Sequence, residues 1–266
     1  MAPLSRLAVL IAAIISCSIR GCAAGLNQQY MGGDQLPFEF RAATIDDIDD
    51  MVTVFIEAFS VSPAWQYIHQ FEDAYPGYTW HCTRDSWRDS YEKSGSNATF
   101  RVISVPDETA ASGSRVVSFS IWEFNKTGGS DANRQSIWSM GNRTPSWANC
   151  SAHLDVNMTR VEDYVKQGAE AEDKYLNDVY DCQDYLALLA THPKWDGNGF
   201  AAVHLQWGMA LADKTAIPTT LLATPAGYPL YKSLGFKDIY NQSINRLDGK
   251  GTFWHEIMVH FPEEGS

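Results

Sequence analysis

The chain has 266 residues, 45% of them hydrophobic, and 32 carboxylates stand against 20 lysines and arginines. That is apolar material for one sizeable core, and the length suits one domain with an insertion. The net charge of −12 argues against nucleic acid and anionic membrane surfaces as partners and leaves an amine open as substrate.

At the start, Arg6 precedes the apolar run Leu7 to Ile15, and Cys22-Ala23-Ala24 offers small residues for cleavage. Residues 1–24 therefore read as a secretory signal peptide; the run is too short to span a bilayer, and no other stretch is long and apolar enough to do so. Asn97, Asn125, Asn142, Asn149, Asn157 and Asn241 each begin Asn-x-Ser/Thr, which fits the same address. A start at Met31 would instead give a cytoplasmic protein. Residues 25–37 read as a linker, and residues 38–266 as the folded domain.

Phe38 to Thr44 alternates like a strand. Thr44 then reads as an N-cap, with Asp46 and Asp47 in the first turn of a helix whose apolar face is Ile48, Met51, Val52, Phe55 and Phe59. Val61 to Ser96 is rich in aromatics, most of them expected in the core. Thr99 to Val105 and Arg115 to Phe124 read as a hairpin, with Val116, Ser118 and Ser120 on one face and Val117, Phe119 and Ile121 on the other. Residues 125–181 fit no ordinary connection. Most of the sequons fall in their first half and a charged, helix-prone segment in their second, so an exposed insertion is expected, with Glu162 to Asp173 a solvated face. Outside the leader the cysteines are Cys82, Cys150 and Cys182, an odd number that permits one disulfide. A bond between Cys150 and Cys182 would tie the ends of the insertion together. No two of them lie at metal-ligand spacing, and no metal site is expected.

The stretch from Tyr185 to Phe236 organises the rest. Tyr185 to Ala190 is long enough for a buried strand, and His192-Pro193 stops it. Gly197 and Gly199 follow, flanking Asn198. Phe200, Val203, His204, Trp207, Leu211 and Ala212 then recur at helical spacing. A strand thus passes through a glycine-bearing turn into a helix, which leaves outward-facing amides suited to a pyrophosphate. Thr219 to Ala223 is a second strand, Pro229 to Leu234 a short helix, and Gly235 its left-handed cap. Lys237 to Ile244 and Thr252 to His260 close the chain as two antiparallel strands.

This stretch resembles the GNAT acyltransferase superfamily, most closely its fungal small-molecule type. Lys194-Trp195-Asp196-Gly197-Asn198-Gly199 stands where that family has its Q/R-x-x-G-x-G/A loop, and Tyr231-Lys232-Ser233-Leu234-Gly235-Phe236 is similar to its Tyr-x-x-x-Gly-Phe signature. The resemblance implies an α/β fold with a mixed central sheet of six or seven strands flanked by helices, and a helical insertion between strands 3 and 4. It also implies transfer of an acetyl group from acetyl-CoA to a small-molecule amine. Leu188, Leu189, Ala190 and Thr191 would align the pantetheine, and Lys194, Gly197, Asn198, Gly199, Phe200 and Ala201 would form the pyrophosphate loop. Tyr231 would protonate the leaving thiolate, with Asp184 as general base and His192 as its rival. Phe59 and Trp65 would line the acceptor pocket. Lys194 replaces the usual Gln or Arg, and Asp196 brings negative charge to a phosphate site. These departures favour, as the alternative, a secreted binding protein of the same fold with weak or no catalysis.

Overall fold

The computed structural model describes residues 28–29, 36–94, 98–128 and 149–262. The leader, the Asn97 and Asn142 sequons and residues 129–148 of the insertion lie outside the described residues. Among the described residues eight strands form one sheet: β1 (Gln28–Gln29), β2 (Glu39–Ala42), β3 (Thr99–Pro106), β4 (Ser114–Thr127), β5 (Cys182–Thr191), β6 (Thr219–Ala223), β7 (Lys237–Asn245) and β8 (Thr252–His260), in spatial order β1-β2-β3-β4-β5-β6-β8-β7. Seven of these make up the expected mixed sheet, and the two-residue β1 extends its edge. Every neighbouring pair is antiparallel except β5 and β6, which run parallel.

Among the described residues six α-helices flank the sheet: α1 (Ile48–Phe59), α2 (Pro63–Ile68), α3 (Tyr78–Ser94), α4 (Met158–Glu172), α5 (Phe200–Thr215) and α6 (Tyr228–Ser233). The entry to α1 is fixed by Asp47. Its carboxylate accepts the Thr44 backbone N–H at 2.7 Å and two Arg41 guanidinium hydrogens at 2.7 Å each, satisfying a donor that a helix start leaves orphaned. Ile48, Met51, Val52 and Val54 then bury one face of α1 against Phe119, Ile121 and Ala190 of β4 and β5. The opposite face of the sheet takes α5 and α6, with Trp122, Leu186, Leu205, Leu221, Tyr231 and Met258 in the interface.

Three expectations are corrected. The β3–β4 register shifts between Ile103 and Ser104, skipping Val117. This bulge turns Val116 to the α1 face beside Phe119 and Ile121, away from Ser118 and Ser120. The disulfide joins Cys82 to Cys150, with Cα atoms 5.4 Å apart, and Cys182 is free. The bond therefore fastens the insertion to α3. Finally, the second half of the insertion is less exposed than expected: one face is solvated and the other is packed on the sheet. Ala171 and Leu176 pack on Ile257 and Val259 of β8, while Glu162, Lys166 and Glu170 form the exposed face of α4.

Candidate active site

The ladder between β5 and β6 consists of two pairs, Asp184 with Thr219 and Tyr185 with Thr220. Beyond them β5 runs on to Thr191, bonded to β4 along its other edge, and β6 to Ala223, bonded to β8. Among the described residues, the facing edges of residues 187–191 and 221–223 thus present backbone groups that no strand pairs, at the carboxyl ends of two parallel strands. Helices α5 and α6 follow those ends. This is where an open α/β sheet receives ligands.

The four residues expected to align pantetheine line this opening. Leu188 and Ala190 face α1, Leu189 faces α5, and Thr191 Oγ1 lies 2.9 Å from Ser118 Oγ. The loop that follows is held by its own polar atoms. His192 Nδ1 accepts the Lys194 N–H at 3.1 Å, and Asn198 Nδ2 donates to the Trp195 carbonyl at 2.9 Å. Gly197 and Gly199 take φ values of +81° and +77°, which side chains resist. Gly199 caps α5 without a side chain. The amides of Gly197, Asn198, Gly199, Phe200 and Ala201 accordingly make no hydrogen bond among the described residues. The loop is exposed from Asp196 to Gly199, and Lys194 and Asp196 stand in solvent. The residues fit a diphosphate through backbone donors and the α5 dipole, with one lysine and one opposing aspartate beside it.

Tyr231 lies on the α5 face of the sheet with Leu186, Leu221 and Phe236, and is 8% exposed. Burial raises its phenol above the ordinary tyrosine range, so it is a neutral donor at physiological pH. Gly227 makes room for it: a Cβ there would stand 2.8 Å from the Tyr231 ring. Asp184 sits at the closed end of the opening, where the ladder begins, and is 2% exposed. Its Oδ1 accepts the Asn125 backbone N–H at 2.9 Å. Burial raises its carboxyl above the usual carboxylate range, and the Asn125 bond offsets part of that. Alternation along β5 puts Asp184 on the face of Leu186, hence of Tyr231. His192, the rival base, spends Nδ1 on the loop.

Phe59 and Trp65 meet across Phe55, whose ring centroid is 5.1 Å from one and 5.4 Å from the other. Trp65 stacks on His69 at 3.8 Å and donates its indole hydrogen to Glu72 at 2.9 Å. Its polar handle is therefore already in use, while Phe59 is half-buried. Among the described residues no group of three or more His, Cys, Asp or Glu could hold a metal ion, and no helix is long and apolar enough to cross a membrane. Sequence reasoning missed Gly227, whose role is the space it leaves for a ring one helical turn away. No local pattern announces that.

No family model matches the chain. A curated relative from Stachybotrys chartarum named acetyltransferase is 22% identical over 228 residues, spanning 84% of this chain and 91% of the relative. Among solved structures, one described as histone acetyltransferase HPA2 and related acetyltransferase, from Corynebacterium glutamicum, superposes with a TM-score of 0.50 at 19% identity, covering 85% of this chain and 97% of that one. An arylalkylamine N-acetyltransferase 7 described as putative, from the yellow fever mosquito, gives 0.50 at 14% identity, covering 85% and 88%. With the parallel β5–β6 opening and the glycine loop entering α5, these likenesses define the fold as that of the GNAT acetyltransferases.

Proposed function

We propose that this protein is an acyltransferase that moves an acetyl group from acetyl-CoA to the amine of a small molecule. The observation that carries the reading is the opening between β5 and β6, which ends at the unpaired amides of Gly197–Ala201. The named acetyltransferase relative agrees with it, and the arylalkylamine acetyltransferase neighbour favours an arylalkylamine-like acceptor.

Acetyl-CoA supplies an activated thioester. The free edge of Leu188–Thr191 offers a strand partner for pantetheine amides, and the loop amides take the pyrophosphate. Tyr231 gives its proton to the departing sulfur, a role that a neutral buried phenol suits. Asp184, with its raised carboxyl, takes the proton that the amine loses. The nitrogen–carbonyl bond forms as the carbon–sulfur bond breaks, and both protons are accounted for.

We further propose passage through the secretory route. The Cys82–Cys150 bond suits an oxidising compartment, and Asn125, Asn149 and Asn241 are exposed, while Asn157 is half-buried and caps α4. A shift in mass on peptide N-glycosidase treatment of protein from its native source is the expected result. The second reading, a secreted binder without catalysis, is favoured by the exposed Asp196 beside the phosphate loop.

Calorimetry with acetyl-CoA, followed by thiol-release assays over a panel of primary arylalkylamines, tests the assignment. Binding and turnover are expected in the natural chain. Tyr231→Phe should keep the acetyl-CoA affinity and lose about 100-fold in kcat, the usual worth of a general acid. Absence of acetyl-CoA binding would overturn the transferase reading and leave the binder. Binding with unchanged kcat in Tyr231→Phe would remove Tyr231 from the chemistry.

A further inference from the structure

Arg101 stands in the middle of β3 opposite Ser120 of β4, and is 6% exposed. Its guanidinium lies over the rings of Phe40 and Trp207, at 4.4 and 4.8 Å from their centroids. Nε and Nη2 are buried and make no hydrogen bond, and no described carboxylate pairs with them. The neighbouring Arg41 is committed to Asp47 and Glu39. Burial, then the Arg41 charge, lowers Arg101 to about 10, so it still carries its charge at neutral pH.

His204, fully buried on α5, reaches the same strand pair: its Nδ1 lies 2.7 Å from Ser120 Oγ. That oxygen already accepts the Trp122 indole hydrogen at 2.9 Å. A hydroxyl has one hydrogen and two lone pairs, so Ser120 can serve His204 Nδ1 as donor or as acceptor, according to the imidazole tautomer. Nε2 is buried and has no partner. Burial, then the charge of Arg101, lowers His204 to about 3, against a smaller opposing hydrogen bond to the Ser118 backbone, so the ring is neutral. Phe40 joins the two groups, its ring 5.1 Å edge-on from His204 and beneath the Arg101 guanidinium.

Among the described residues the result is a buried guanidinium with two unpaired nitrogens and no carboxylate to meet its charge, beside a neutral imidazole whose Nε2 is unspent. A buried charge without a counter-charge is among the costliest features a core can hold, and a protein that keeps one supplies its partner. We propose that Arg101 and His204 form a binding site for a small monovalent anion, a halide or a compact carboxylate, between β3 and α5. One guanidinium matches one negative charge, and the flanking Phe40 and Trp207 rings favour a compact ion over a hydrated phosphate. The site does not depend on the acetyl-CoA reading, since its charge is carried by Arg101 of β3, a strand that takes no part in the β5–β6 opening.

Thermal unfolding of the full chain, prepared without halide, tests this in chloride, bromide or acetate, with gluconate holding the ionic strength. A saturable rise of several degrees is expected in halide or in acetate, and which of the two raises it names the occupant. Arg101→Met should remove the response. The replacement is apolar and unbranched, so it removes the charge without stranding another. Should that variant fail to fold, bromide-soaked crystals of the natural chain decide. Anomalous density within hydrogen-bond reach of Arg101 Nη2, on the side of His204, supports the site. A melting temperature indifferent to the anion, an equal response in Arg101→Met, or a water or chain carboxylate in that position would overturn it.

Discussion

At the residue scale, Asp184 and Asp196 carry the same charge in opposite settings. Asp184 is buried, and its raised carboxyl means that the fold holds the protonated form more firmly than the unfolded chain does. That advantage is fully present below the ordinary carboxylate pKa and is lost as pH rises through the folded value. Asp184→Asn, which cannot ionise, should therefore melt higher than the natural chain at pH 7, with the gain shrinking toward pH 4. The same variant should lose turnover if Asp184 is the base. Melting curves across that pH range beside rates at pH 7 separate the two effects, and an unchanged Tm at pH 7 would mean that burial of Asp184 costs the fold nothing. Asp196 is exposed, so its influence on a bound diphosphate is screened. For a contact at ~6 Å and an effective dielectric of ~40, each unit of charge is worth about 1 kcal/mol. Asp196→Arg changes two units and should tighten acetyl-CoA at least about tenfold at low salt, less at high salt. Equal affinities would show that Asp196 points away from the phosphates.

At the scale of elements, what was legible in the sequence was what is local. The periodicity of Ile48, Met51 and Val52 announced α1, the glycines announced the turn into α5, and Gly235 its cap on α6. What stayed hidden depends on a partner distant in sequence. The bulge at Val117 inverts the expected face of Val116 because β3 supplies one residue fewer, and alternation within β4 cannot show that. The unpaired nitrogens of Arg101 and His204 likewise exist only once β3 and α5 share a core. Gly208 belongs to the same class. It reads as a weak point in a helix, yet a Cβ there would overlap the Trp122 indole, so the glycine sets how closely α5 approaches β4. Gly208→Ala gains about 1 kcal/mol in helix propensity. Overpacking against a ring with no exposed surface costs about 1–3 kcal/mol. A net loss of stability in urea unfolding is expected, and Trp122→Phe in the same chain should recover part of it. A stabilised Gly208→Ala would mean that α5 shifts freely on the sheet.

At the scale of the whole molecule, the disulfide links what the sheet leaves apart. Cys82 on α3 and Cys150 beyond β4 are both fully buried, and they pack with Tyr78 and Leu154. The Tyr78 hydroxyl donates to the Asn149 carbonyl at 3.0 Å, and Thr79 donates to the buried Asp155 at 2.9 Å. The segment leading into α4 is thus fastened to α3 at three successive points, and α4 in turn covers β7 and β8. The bond closes a span of 68 residues. In the chain-entropy account, closing such a loop removes about 4 kcal/mol of freedom from the unfolded state. At about 2–4 °C per kcal/mol for a domain of this size, reduction should lower the melting temperature by roughly 10 °C. Cys82→Ser should melt near the reduced value whether or not reductant is present, since Cys182 lies in β5 and is no substitute partner. The paired comparison, natural chain and variant each with and without reductant, isolates the covalent contribution from packing. If the natural chain melts equally in both conditions, the thiols are not joined in solution, and the oxidising compartment proposed for this protein loses its structural support.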